Sequence, residues 1–168
     1  MFVEYYSQAG PALPGQPSVA GSGFAAWVNQ NFPIWMREVT DSVEVLGKDP
    51  AVERDRIAVM GFSLGAFLTL AAGAQEGGRL AAIIDYYGGM NQSYVALAAN
   101  MPPTLILHGS ADSTVPVRYA HEVDAILIRY NRPHEMVIYP GAGHGFAGAA
   151  EADSWRRTLD FLHRYLGR

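Results

Sequence analysis

Short apolar runs alternate along this chain with segments whose apolar residues recur every three or four positions. Ile57 to Met60, Leu80 to Tyr87, Thr104 to His108 and Met136 to Tyr139 are compact apolar stretches bounded by glycine, proline or polar residues. Runs of that length and composition predict buried strands. Between them, Pro33 to Leu46 aligns Trp35, Val39, Val43 and Leu46 on one stripe, and Val117 to Tyr130 aligns Ala120, Val123, Leu127 and Tyr130. Ala152 to Leu166 aligns Trp155, Leu159, Leu162 and Leu166, and Ala66 to Ala74 is a run of small and apolar residues that suits a closely packed helix. Spacings of three and four place such residues on one helix face.

Strands that are apolar throughout, separated by amphipathic helices, imply a mostly parallel sheet with helices on both faces, an α/β architecture with right-handed crossovers. Function in such sheets gathers beyond the carboxyl ends of the strands. A further short strand is expected at Phe2 to Tyr6. Pro11, Pro14 and Pro17 mark Ala9 to Gly23 as a loop, because each proline fixes φ and removes a backbone donor. No repeat or composition break divides the chain, so residues 1–168 read as a single domain.

Chemistry enters at Gly61-Phe62-Ser63-Leu64-Gly65. This G-x-S-x-G segment lies between an expected strand and an expected helix, the context in which a serine is lifted onto a sharp turn. Ser63 is the candidate nucleophile, and the backbone N–H of Leu64 is the candidate oxyanion donor at the start of the helix. Without such a context the pattern would describe only a Gly-Ser turn. A serine hydroxyl also needs a neighbouring base. His144 follows the last expected strand in Pro140-Gly141-Ala142-Gly143-His144-Gly145-Phe146, where small neighbours leave an imidazole room above the sheet.

Asp112, in the loop after the third run, is the candidate acid that accepts the other imidazole N–H. The competing role for Asp112 is a cap on the helix near Pro116. Asp85 is the reserve acid, and Asp124 lies inside a helix. Of the other histidines, His108 is expected to pack or bond structurally, while His121 and His163 face solvent or a groove. His134 comes too early to meet Ser63. No histidine shows a defensible metal-ligand spacing, so no metal is assigned. Phe62, Tyr86 and Tyr87 are candidates for a substrate-contacting wall, with packing against the sheet as the alternative.

Composition narrows the field. Hydrophobic residues make up 49% of the 168, the formal net charge is −4, and there is no cysteine. Disulfides, thiolate metal sites and a cysteine nucleophile are excluded. The mild charge and the lack of a basic run give no reason to expect nucleic acid as a partner. The first residues lack a basic start followed by an apolar core, and no stretch approaches the ~18 apolar residues of a membrane span. A cytoplasmic protein with no membrane partner is therefore expected. Gly21-Ser22-Gly23-Phe24-Ala25-Ala26 outlines a dinucleotide loop, but only a proline-rich segment precedes it where a strand is required. Asn91-Gln92-Ser93 matches a glycosylation acceptor, which has meaning only in a secreted protein.

Three ordered segments, DRIAVMGFSLGAFLTLAAG, PPTLILHGSADSTVPV and YPGAGHGF, together resemble the α/β-hydrolase superfamily and its dienelactone-hydrolase-like branch. The resemblance is good from about Asp49 to Arg168 and loose before that. It implies hydrolysis of an ester or lactone through an acyl-enzyme, with no cofactor and a small-molecule ester as substrate. Two features depart from the branch. Its nucleophile is a cysteine where this chain has Ser63, and it grips a carboxylate with arginines that Tyr6-Ser7-Gln8 and Gly145 to Gly148 do not supply. A neutral ester is accordingly expected over an anionic lactone.

The resemblance also implies an α/β-hydrolase fold lacking its first strands, including the strand that normally neighbours the nucleophile strand. The loop that carries a second oxyanion donor goes with it, and one such donor is worth about 100- to 1000-fold in turnover. Either activity is weak, or a donor comes from the Ala9 to Gly23 loop, from Tyr5, Tyr6, Tyr86 or Tyr87, or from another subunit. An uncovered sheet edge also predicts a homo-oligomer. The alternatives to an esterase are a thioesterase, a peptidase, or a shortened relative serving as a binding or assembly module.

Overall fold

The computed structural model describes Met1, Val3 and residues 22–167. The expected strand at Phe2 to Tyr6 and the loop from Ala9 as far as residue 21 lie outside the described residues. The described elements are α1 (Ser22–Lys48), β1 (Ala58–Phe62), α2 (Leu64–Glu76), β2 (Ala82–Tyr86), β3 (Thr104–Gly109), α3 (Arg118–Arg129), β4 (His134–Tyr139) and α4 (Gly148–Leu166). Two 3₁₀ segments, Gly77–Arg79 and Gln92–Asn100, lie on either side of β2. No helix among the described residues is long and apolar enough to cross a membrane.

The four strands are parallel and stand in chain order, β1-β2-β3-β4. Alternation along each strand sends neighbouring side chains to opposite faces. On one face Ile83 and Ile106 join Val43 of α1, Leu70 of α2, and Val123 and Leu127 of α3. On the other, Ile84, Tyr86, Leu105 and Leu107 pack against Phe161 of α4. Both faces are therefore covered by helix, as a continuously apolar parallel sheet requires. Because the four strands run parallel, the segments that follow them all leave from the same end of the sheet.

The first helix begins at Ser22, well before the expected start at Pro33, so Ser22 and Gly23 belong to a helix and not to the loop. A proline inside a helix removes one hydrogen bond and strains the preceding turn. Packing across the proline offsets that cost. Trp27 and Trp35 meet edge-to-face at 5.0 Å on either side of Pro33. Phe32, Trp35, Met36 and Val39 are buried against Leu68, Ala71 and Ala72 of α2.

The buried face of α4 also differs from the expected stripe. Trp155 and Leu159 are 42% and 53% exposed, while Ser154, Thr158 and Phe161 are buried. The reason lies in the sheet: the buried Tyr86 hydroxyl needs a polar partner and finds Thr158 Oγ1 at 2.8 Å. Ser154 returns its own hydroxyl to Glu151 O at 2.7 Å. Small polar residues thus face the strands, and the larger Trp155 sits at the rim beside Phe62. The Asn91-Gln92-Ser93 segment opens the second 3₁₀ segment, with Asn91 Oδ1 accepting from Ser93 N–H at 3.0 Å.

Candidate active site

Ser63 follows β1 directly and precedes the first residue of α2. Its backbone is at φ 53°, ψ −122°, a conformation rare for a residue with a Cβ. The turn closes tightly. A Cβ on Gly61 would stand 2.2 Å from the Gly65 carbonyl oxygen, so no side chain fits there. Ser63 C=O accepts from Ala66 N–H at 2.9 Å, which starts α2. The N–H of Leu64 belongs to the first turn of that helix, whose donors have no acceptor within the helix.

Asp112 and His144 are brought together by two loops that hydrogen-bond to each other. After β3, Ser110 N–H donates to Tyr139 O at 3.0 Å and Ala111 N–H to Ala142 O at 2.9 Å. In return Gly141 N–H donates to Ser110 Oγ at 2.8 Å. Gly109 makes the crossing possible, since a Cβ there would lie 2.3 Å from Ala142 O. The consequence is a continuous chain of contacts. Ser63 Oγ lies 2.9 Å from His144 Nε2, and His144 Nδ1 lies 2.8 Å from Asp112 Oδ2.

Asp112 uses its two oxygens differently. Oδ1 accepts from Thr114 N–H and Val115 N–H, each at 2.8 Å, and so shapes its own loop. Oδ2 faces His144. The capping and relay roles weighed from the sequence are thus compatible, although the local role is a turn before α3 and not a cap on it. Burial by itself would raise the Asp112 carboxyl. Hydrogen bonds from His144, Val115 and Thr114 outweigh it and hold the group below its ordinary range. The side chain is fully buried, which keeps water from competing for those bonds.

His108 stands behind the acid. It is buried, its Nε2 donates to Val115 O at 2.8 Å, and the same nitrogen lies 3.5 Å from Asp112 Oδ2. Burial lowers its affinity for a proton, so it serves the loop as a neutral ring. His134 pairs with Asp124 at 3.0 Å, and His121 and His163 are exposed; none of the three joins the arrangement at Ser63. Among the described residues no group of three or more His, Asp or Glu side chains could hold a metal ion.

The aromatic candidates divide. Tyr87 has φ 45° and lays its ring edge-to-face on His144 at 4.7 Å. Burial, with the nearby carboxylates of Asp112 and Glu151, raises its hydroxyl above the usual phenolic range, so it remains protonated. Tyr86 is 2% exposed and committed to Thr158. Phe62 packs on Tyr86 at 4.7 Å and lies 6.2 Å from Tyr87, on the α4 side of the sheet. Phe146 and Trp155 complete this group, with Phe146 at 5.2 Å from Tyr87 and Trp155 at 5.9 Å from Tyr86. Sequence reasoning did not single out Phe146 for the site, although it stands two residues beyond His144 in the same motif.

Asp85 does not reach His144. It is fully buried at the end of β2, with Oδ1 accepting from Gly88 N–H at 2.8 Å and Oδ2 without a hydrogen-bond partner. Burial pushes its carboxyl up to about 7, although the Gly88 hydrogen bond acts the other way. The folded state therefore holds a proton on Asp85 at pH values where the unfolded chain, near 3.8, has lost it. Stability should fall as pH rises from about 4 to about 7 and then level off. Asp85→Asn is expected to flatten this slope and, above pH 7, to stabilise the protein by on the order of a few kcal/mol, seen as a higher melting temperature. Thermal denaturation of both proteins at pH 5 and pH 8 checks it; an equal shift at both pH values would contradict the assignment.

Comparison with known proteins gives this geometry a context. The model of the dienelactone hydrolase family matches residues 26–166. The chain belongs to the dienelactone hydrolase family. A carboxymethylenebutenolidase of Rhodococcus opacus is 28% identical over 133 residues, covering 68% of this chain and 52% of that protein. The chain spans about half the length of the curated relatives it matches. Among solved structures, a dienelactone hydrolase-like promiscuous phosphotriesterase from metagenomic libraries superposes with a TM-score of 0.75 at 20% identity. That match covers 88% of this chain and 68% of the other. Dipeptidyl peptidase 4 of Porphyromonas gingivalis gives a TM-score of 0.71 at 21% identity, over 78% of this chain and 22% of that one. At such identities the likeness is one of fold, the α/β-hydrolase type expected from the motifs.

Proposed function

We propose that this chain is a serine carboxylic-ester hydrolase acting on small neutral esters or lactones through an acyl-enzyme. The observation that carries the reading is the unbroken sequence of contacts from Ser63 Oγ through His144 to Asp112, at 2.9 Å and 2.8 Å. With Asp112 ionised, the His144 Nδ1–H donates to it, which leaves Nε2 bare to accept the Ser63 proton. Ser63 Oγ then adds to the ester carbonyl as His144 takes that proton. The oxyanion rests against the Leu64 N–H. Collapse expels the alkoxide, protonated by His144, and leaves an acyl group on Ser63. Water, deprotonated by His144, adds to the acyl carbon; collapse releases the carboxylic acid and restores the Ser63 hydroxyl.

Tyr87, whose ring touches the imidazole, is the side chain assigned to substrate contact, with Phe62 and Tyr86 backing it. The glycine-rich loop after His144 offers no arginine from Gly145 to Gly148, which favours a substrate without a carboxylate.

A second reading, an inert binding module, is favoured by the single oxyanion donor, the Leu64 N–H at the start of α2, that can be assigned among the described residues. A fluorophosphonate probe separates the two. Ser63 Oγ should displace fluoride and form a stoichiometric phosphonyl adduct, located by peptide mass spectrometry. A folded sample that takes up no probe, or takes it elsewhere, would sink the esterase reading.

A further inference from the structure

Two buried polar side chains at the carboxyl end of the sheet are each left one hydrogen bond short. Asp85 and His108 are both 0% exposed. Asp85 Oδ2 and His108 Nδ1 have no hydrogen-bond partner among the described residues. Buried polar atoms in folded proteins are nearly always paired, so two such atoms close together call for one explanation.

The strands bring them to one place. Asp85 alternates with Ile83 along β2 and His108 with Ile106 along β3, so both lie on the face covered by α2 and α3. Asp85 stands opposite Ile106, which puts His108 two residues further along the neighbouring strand. With strands about 4.8 Å apart and about 3.3 Å gained per residue, the two Cα positions are about 8 Å apart. The side chains close part of that distance without making a direct bond. Two hydrogen bonds in series through one water span about 5 Å, which suits the remainder.

The bonds already made decide what each orphan atom can do. His108 Nε2 donates to Val115 O at 2.8 Å, so Nδ1 of the neutral ring is a bare acceptor. Asp85 Oδ1 accepts from Gly88 N–H at 2.8 Å. Burial pushes the Asp85 carboxyl up to about 7, and with Oδ1 occupied as an acceptor the retained proton sits on Oδ2. One strand therefore offers a donor and its neighbour an acceptor. The pair is also closed in from above, since a Cβ on Gly88 would stand 2.6 Å from Asp85 Oδ1 and 2.4 Å from Ala66 Cβ of α2.

We propose that one internal water bridges Asp85 to His108, accepting from the Asp85 Oδ2–H and donating to His108 Nδ1. The bridge holds His108 in the tautomer whose Nε2–H grips Val115 O. The N–H of that same Val115 donates to Asp112 Oδ1, so Asp85 acts through the water and His108 as a positioning residue for the Asp112 loop. The bridge is independent of whether Ser63 is catalytic.

A high-resolution crystal structure of the full chain should show one ordered water within hydrogen-bond distance of both atoms. Nitrogen NMR of histidine-labelled protein should show His108 with Nε2 protonated and Nδ1 accepting a hydrogen bond. Asp85→Asn keeps a donor at the same place and should leave that Nδ1 resonance where it is. Asp85→Leu removes the donor and should move the resonance toward that of a free ring nitrogen. Asp85→Leu and His108→Phe each strand one end of the bridge, whereas the double variant removes both. Its loss of melting temperature should therefore be clearly smaller than the sum of the two single losses. Additive losses overturn the inference, as does a His108 resonance indifferent to Asp85→Leu. A wild-type crystal in which no water joins the two atoms, or in which they touch directly, overturns it as well. If a variant fails to fold, the wild-type water decides alone.

Discussion

Replacing Ser63 by alanine is expected to lower kcat for a short p-nitrophenyl ester by about 10⁴- to 10⁶-fold, with the melting temperature nearly unchanged. The size follows from what the hydroxyl does. Among the described residues its oxygen is the hydrogen-bond partner of His144 Nε2, at 2.9 Å, so without it the imidazole is left to deprotonate water. Water is neither covalently held nor positioned, and the two-step route through an acyl intermediate is lost. Stability should hold because the Ser63 side chain caps nothing: α2 starts from the Ser63 carbonyl, which alanine retains. The residue's positive φ is strained for serine and alanine alike. The measurement is steady-state hydrolysis beside thermal denaturation. Wild-type turnover in a folded Ser63→Ala protein would end the esterase reading.

The second large effect is expected from Asp112→Asn, on the order of 10⁴-fold in kcat with little change in KM. The carboxylate is chosen over Asp85 by geometry, since its Oδ2 lies 2.8 Å from His144 Nδ1 while Oδ1 is taken by two backbone N–H groups. Asparagine keeps an oxygen for Thr114 and Val115, so the loop is retained. Its NH₂ group then faces the imidazole and donates where the carboxylate accepted. His144 must turn its bare nitrogen to residue 112 and its N–H to Ser63, the wrong tautomer for a base. The same variant should react with a fluorophosphonate far more slowly, while substrate analogues bind as before. A rise in KM with kcat unchanged would show Asp112 to be a loop residue only. Asp85→Asn, by contrast, should change the pH dependence of stability and leave turnover near wild type, because its carboxyl contacts Gly88 and not the imidazole.

The strands and the nucleophile turn were legible because their signals are local. Each strand is a short apolar run closed by a glycine or polar turn, and each fell within a few residues of its expected place. Gly61 could be read the same way, since the turn needs its lack of a side chain two positions before Ser63. Elements whose limits depend on distant partners were not legible. Pro33 is locally a helix start, and only the packing of Trp27 on Trp35 and of both on α2 carries the helix through it. In α4 the heavier apolar stripe suggested one buried face. The Tyr86 hydroxyl, far away in the chain, selected the adjacent face bearing Thr158. The second 3₁₀ segment left no periodic signal because it is short and its register is set by the Asn91 cap.

The amino-acid sequence alone determined the alternation of strand and helix, the type of fold and the chemical identities available at the strand ends: a hydroxyl on a strained turn, an imidazole among glycines and two competing carboxylates. Composition and spacing act within a few residues, so these are properties the chain carries before it folds. Which carboxylate meets the imidazole and which aromatic ring lies against it were decided only by the tertiary structure. Those outcomes depend on register between strands and on hydrogen bonds between the loops after β3 and β4, and such contacts come into being only when the sheet is assembled.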